Sequence, residues 1–204
     1  MRYEPDYKAK TRQKVLDEAA KVMRAEGIQG MGVANVMAKA GLTHGAFYAH
    51  FDSKDALIGE TIKEMALAAR GKFDVVTEGL APADALRKYI EFYLSARHRD
   101  NVETSCPLPW LAGEIPRLDA PARKRYGASV AGLTELLAVR LRAQDHADAD
   151  AAASSVVAEL VGALALARAV ADRSQSDLIL SRSRASIVAR LGLASGKTAG
   201  PGRE

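Results

Sequence analysis

Apolar residues recur along this chain at helical spacing, and polar or glycine-rich breaks separate one run from the next. Val15, Leu16, Ala19, Val22 and Met23 mark one face of a helix over Lys8–Glu26 that stops at Gly27. Val33, Val36, Met37 and Ala40 repeat the pattern over a shorter stretch, and Gly41 follows where a helix ends in a left-handed residue. Thr43 is placed to cap another short helix, in which Phe47 and Phe51 point inward while Thr43, His44, Gly45, Ala46 and Tyr48 point outward. Asp52 and Ser53 are candidate caps for a longer helix running toward Val76. Two brief helices joined by a glycine-containing turn are the parts of a helix-turn-helix, whose second helix enters the DNA major groove.

The remainder is also helical by pattern. Pro82 suits a first helical position, and Asp84–Arg99 carries Leu86, Tyr89, Ile90 and Tyr93 on one face. The segment that follows holds Pro107, Pro109, Pro116 and Pro121, a density that leaves room only for a short helix near Trp110–Ile115. Three further helices are expected over Arg123–Arg142, Ala149–Val170 and Asp177–Leu191. The expected fold is all-α, with an N-terminal helix-turn-helix DNA-binding domain at residues 1–52. A helical ligand-binding and dimerisation domain spans 53–193, and 194–204 reads as a flexible tail.

The stretch GLTHGAFYAHFDSKDAL resembles the DNA-binding signature of TetR-family transcriptional regulators. Gly41, Gly45, Phe47, Tyr48, His50, Phe51, Ser53, Lys54 and Leu57 fall on matching positions, and the match runs back through Ala19, Gly27 and Ala38. It covers about the first quarter of the chain closely. The resemblance implies a dimeric repressor on a palindromic operator, with Gly32, Val33, Thr43, His44, Gly45, Ala46, Tyr48, His50 and Lys54 near DNA. It departs at Gly32, where the family usually has Ser or Thr to cap the helix and meet a phosphate. The family dimerises through its last two helices. Here those helices are apolar enough for that, and burial within one subunit is the other reading.

Charge adds little to this. The net charge is +4, and residues 1–58 hold nine Lys and Arg against seven Asp and Glu, so the DNA reading rests on the motif. Lys8, Lys10, Thr11 and Arg12 either reach phosphates or form a solvated helix end. Lys54 opposes the helix dipole at a helix start, which an anion held there, such as a DNA phosphate, would explain. The single cysteine, Cys106, excludes an intramolecular disulfide and fits a reducing cytoplasm. The N-terminal residues lack the apolar core of a signal peptide, and the most apolar run, Leu160–Ala167, is too short to span a bilayer. No membrane partner is therefore expected.

Tyr89, Tyr93, Trp110 and Leu133 are candidates for an effector cavity. Cys106 is either a sensor of oxidants or electrophiles, a reading helped by Arg97, His98 and Arg99 upstream, or a packing residue. The segment SCPLPWLAGE is somewhat similar to a cysteine-sensing subgroup of the same family. No catalytic, cofactor or metal site is expected. His98, Cys106 and Glu114 lack an accompanying oxyanion loop, His44 and His50 are not at metal-ligand spacing, and GLASGKT at Gly192–Thr198 is one residue short of a phosphate loop. Two functions remain in view. One is a repressor that answers a small-molecule inducer or an electrophile; the other is a DNA-bound adaptor that recruits a protein partner and senses nothing.

Overall fold

A computed structural model of the chain describes residues 5–102 and 105–193, and no strand occurs among them. The helices are α1 Pro5–Glu26, α2 Val33–Lys39, α3 Lys54–Thr77, α4 Pro82–Tyr93, α5 Ala96–Asp100, α6 Leu108–Leu111, α7 Ala120–Arg142, α8 Ala149–Ala169 and α9 Arg173–Arg190. Short 3-10 helices lie at Ile28–Gly30, His44–Ala49 and Ile115–Arg117. The protein is all-α with a helix-turn-helix near its N-terminus, as the pattern predicts.

Several boundaries differ from expectation for local reasons. Helix α1 begins at Pro5 rather than Lys8; residues 1–4 lie outside the described residues. The helix expected over Asp84–Arg99 is two helices. The backbone turns at Leu94, and the Ser95 hydroxyl accepts the His98 amide at 3.1 Å, capping α5 as a new start. Helix α9 starts at Arg173 instead of Asp177 because Asp172 accepts the Gln175 amide at 3.0 Å. The tail 194–204 lies outside the described residues.

The fold divides into two compact units that are not consecutive in sequence. One comprises the chain to Phe73 with Asn101–Leu133, the other Asp74–Asp100 with the chain from Thr134. This boundary is not the division at residue 52 drawn from the motif.

In the first unit, the inward residues of α1 and α2 are buried together with Phe47, Phe51, Leu57, Ile58, Ile62 and Met65. The proline-rich segment completes this core. Leu111, Ile115 and Ala122 are buried in it, and Trp110, Leu118 and Tyr126 pack against it half-buried. Each fully buried Leu or Ile contributes about 1.5–3 kcal/mol, so the segment is structural as well as connecting. Its Glu114 carboxylate accepts the Ile28 amide at 3.1 Å.

In the second unit, α8 packs along α9, with Val156, Val157, Leu160, Leu164, Leu180 and Ile187 buried. Tyr89, Ile90 and Tyr93 of α4 are buried as well. Arg99 is 6% exposed and donates to Ser176 at 2.8 Å, Asp177 at 2.6 Å and Asp100 at 2.8 Å. Arg173 reaches Asp100 from α9 at 2.6 Å. The hydrogen bond from Arg99, and then that from Arg173, hold the Asp100 carboxyl well below the usual carboxylate range.

Candidate nucleic-acid interface

The interface starts from how α2 ends. Gly41 takes φ 68°, its amide bonds to the Ala38 carbonyl at 2.9 Å, and the Leu42 amide reaches Met37 at 2.9 Å. This is a Schellman closure, which needs a residue without a Cβ penalty at that position. The chain then turns through Thr43 into His44–Ala49. Thr43 occupies the cap position but its side chain makes no cap hydrogen bond, which corrects the capping role read from the sequence. The physical reason is the helix type. In a six-residue 3-10 helix the first turn closes through backbone bonds three residues apart, here Ala46 to Thr43 at 3.1 Å.

Three residues per turn also sort the faces. Phe47 is buried with His44 and His50 on its edge, whereas Gly45 and Tyr48 eclipse each other on the open side. Tyr48 is 67% exposed, and a Cβ at Gly45 would meet nothing within 4 Å. Thr43 and His44 are exposed, and Ala46 is half-buried. Tyr48 is held edge-on against Phe47 at 5.2 Å and His44 at 6.3 Å. Phe47 in turn stacks on Phe51 at 5.6 Å.

Beyond this segment, Ser53 accepts the Ala56 amide at 3.0 Å and caps α3, leaving Lys54 exposed in the first turn. Gly32 opens α2 with no side-chain cap. Asn35 ties this start down instead, donating to the Gly30 carbonyl at 3.0 Å and to Glu26 at 3.1 Å. Val33 is half-buried against the core. His50 is half-buried, its Nδ1 buried without a hydrogen-bond partner among the described residues. Burial, then the charges of Lys8 and Arg12, hold its pKa below the ordinary value.

Two family models match the chain. Residues 15–61 match the bacterial regulatory proteins of the TetR family, and residues 82–179 match the C-terminal domain of LmrA/YxaF-like transcriptional regulators. The chain belongs to the TetR family. It is a DNA-binding transcriptional regulator, and such regulators are typically ligand-responsive and non-enzymatic. Solved TetR-family structures share the fold. A regulator from Cytophaga hutchinsonii aligns with a TM-score of 0.78 at 20% identity, covering 92% of this chain and 98% of its own. One from Chloroflexus aurantiacus gives 0.76 at 22%, covering 92% and 96%. The reduced form of E. coli NemR gives 0.75 at 20%, covering 87% and 95%. No curated protein matches the chain.

The five effector candidates of this TetR-family chain are distributed over both units. Tyr89 and Tyr93 are buried in the second, while buried Cys106 and half-buried Trp110 and Leu133 belong to the first. Trp110 Nε1 is buried without a hydrogen-bond partner among the described residues. Tyr126 donates to the Leu108 carbonyl at 3.1 Å, and burial, then Cys106 nearby, raises its pKa. Of the cationic residues invoked for Cys106, Arg99 bonds two carboxylates and a hydroxyl, and His98 Nδ1 meets the Tyr93 carbonyl at 2.8 Å, while Arg97 is exposed. Sequence reasoning missed a carboxylate hub at Glu60, which meets Arg125 at 2.6 Å and Arg12 at 3.4 Å. Only its local partner Lys63, 3.9 Å away at i+3, follows from helical spacing; the two arginines lie 48 and 65 residues away and no spacing rule signals them.

Proposed function

We propose that the chain is a cytoplasmic, dimeric repressor whose 1–52 region, with Lys54 at the start of the next helix, reads a palindromic operator. The observation that carries this is the outward set Thr43, His44, Gly45 and Tyr48 beside the Ser53-capped start of α3. No arginine lies between Thr43 and Phe51, so bidentate guanine readout from this segment is excluded. Thr43 and His44 supply hydrogen bonds, Ala46 and Val33 methyl contacts, and DNA shape the rest. Lys54 and the helix start behind it suit a phosphate, and the uncapped Gly32 lets backbone approach another. His50 sits at the edge of this set.

The dimer forms, in this reading, through the outer faces of α8 and α9. Helix α8 is apolar nearly all round, long and apolar enough to cross a bilayer by length and composition alone, unlike the run Leu160–Ala167. Ala158 and Leu166 stay exposed on one copy, with Leu178 of α9. A second copy covers such a face, and two-fold symmetry matches a palindrome. A small molecule, or an electrophile at Cys106, shifts the population from the DNA-competent state. Trp110 and Leu133 in one unit and Tyr89 and Tyr93 in the other are the residues proposed to respond.

The experiment is selection of bound genomic duplexes, followed by salt titration of the selected site. Lys54→Ala should lower the salt slope by about one, and Tyr48→Phe should weaken binding. Wild-type affinity and slope in Lys54→Ala would remove Lys54 from the interface. Operator binding that no effector relieves would favour the adaptor.

A further inference from the structure

Arg12 projects from α1 beside the proposed interface, where a cation is readily taken for a phosphate contact. Its surroundings point elsewhere. The guanidinium lies 4.9 Å over the Phe51 ring, and one nitrogen is 3.4 Å from a Glu60 carboxylate oxygen. The other Glu60 oxygen accepts Arg125 of α7 at 2.6 Å. Glu60 is only 19% exposed, so these charges interact more strongly than a solvated pair. A Cβ at Gly59 would sit 3.4 Å from Arg125 Cγ and 3.9 Å from Ala122 Cα, ordinary contact distances that place α3 close against α7 here.

One carboxylate therefore joins α1, α3 and α7. Through Arg12 it also bears on a ring stack, Phe51 on Phe47 and Phe47 against Tyr48, that ends at the exposed face. We infer that Glu60 is a positioning residue for operator binding, and that Arg12 acts through Phe51 to set the angle of the Tyr48 face rather than by holding a phosphate. This rests on the reading of residues 43–54 as the DNA interface.

The two roles of Arg12 predict opposite signs. If Arg12 held a phosphate, Glu60 would compete for it, so Glu60→Gln would tighten binding and Arg12→Gln would lower the salt slope by about one. If Glu60 positions, Glu60→Gln and Arg12→Gln each weaken specific binding by roughly three- to tenfold, the range expected for groups in contact. Their effects are then non-additive, with the slope and non-specific duplex binding unchanged. Arg125→Gln, at the exposed arm of the hub, gives a milder loss of the same kind and guards against misfolding of Glu60→Gln. Amide hydrogen exchange of residues 44–51 in the free protein is the independent readout, and it should quicken in all three variants. Tighter binding in Glu60→Gln, a lowered slope in Arg12→Gln, or unchanged exchange would overturn the inference. Failure of the wild type to select any duplex would sink the DNA reading, while the exchange data would still judge the link.

Discussion

Gly27→Ala tests the corner where the proline-rich segment meets the helix-turn-helix unit. Gly27 has φ 67° and ψ −168°, a region that is essentially confined to glycine and costs other residues about 1–3 kcal/mol. A Cβ there would also lie 3.2 Å from a Glu114 carboxylate oxygen, tighter than ordinary contact. Relief requires Glu114 to move off the Ile28 amide, now at 3.1 Å. That hydrogen bond is half-buried, and losing it costs about 1 kcal/mol. The expected destabilisation is therefore about 2–4 kcal/mol, less than the stability of an ordinary domain but enough to lower Tm by roughly 5–15 °C. Urea denaturation at fixed protein concentration, followed by far-UV circular dichroism, measures it. In a Glu114→Ala background the contact is gone, so Gly27→Ala should then cost only the backbone part. A loss below about 0.5 kcal/mol in the wild-type background, within the range of inert surface changes, would refute the assigned backbone conformation.

Dimerisation through α8 and α9 should fail in Leu166→Glu, whose site is 60% exposed on one copy, giving folded monomers by sedimentation. Leu160→Glu and Ile187→Glu should unfold the chain instead, because both side chains are fully buried within the subunit. Asp100→Asn should flatten the acid limb of stability. The folded carboxyl lies below its unfolded value, near 3.9, so its contribution is complete above that pH and is lost progressively as pH falls from there through the lower folded value. Cys106, 6% exposed, should alkylate far more slowly in the native than in the unfolded protein. If operator release by peroxide is nevertheless abolished by Cys106→Ser, the thiol is the sensor. A non-covalent effector near Trp110 should change its fluorescence saturably at the concentrations that release DNA.

Part of the local chemistry was legible from the sequence, although the caps at Ser95 and Asp172 were missed and the one expected at Thr43 is not made. The turn at Gly41 and the cap at Ser53 follow from residue type and spacing, as does the inward pair Phe47 and Phe51. The type of the His44–Ala49 helix did not, because a six-residue segment fits three or four residues per turn equally well. The last two helices are apolar enough by pattern for a dimer surface, yet Leu160 and Ile187 are buried within the subunit, because α8 is apolar on more than one side. Apolar periodicity alone does not say which side the chain itself covers. The proline density predicts only a short helix near Trp110–Ile115, and breaks of that kind do not by themselves show that Leu111 and Ile115 are core. Pairings such as Ile28 with Glu114, or Glu60 with Arg125, join residues 86 and 65 positions apart and leave no periodic trace.

The composition of the exposed face explains why such distant pairings matter. Between Thr43 and Lys54 there is one lysine and no arginine, so on the proposed reading this face offers few phosphate contacts and a shallow salt slope. In the proposed interface, affinity and specificity would then depend on hydrogen bonds and van der Waals contacts from Thr43, His44, Gly45 and Tyr48, which weaken steeply with small displacements. A short 3-10 helix is a poor platform by itself, since its hydrogen bonds are strained and its run is brief. Rigidity has to come from what lies behind it. Phe47 and Phe51 supply the packed base, Gly41 and Ser53 close the two ends, and the Arg12–Glu60–Arg125 hub ties that base to three helices. Substitutions at the hub should therefore change which duplexes are bound, whereas Lys54→Ala should change how tightly all duplexes are bound. Equal losses on matched and mismatched sites in Glu60→Gln would contradict this division of labour.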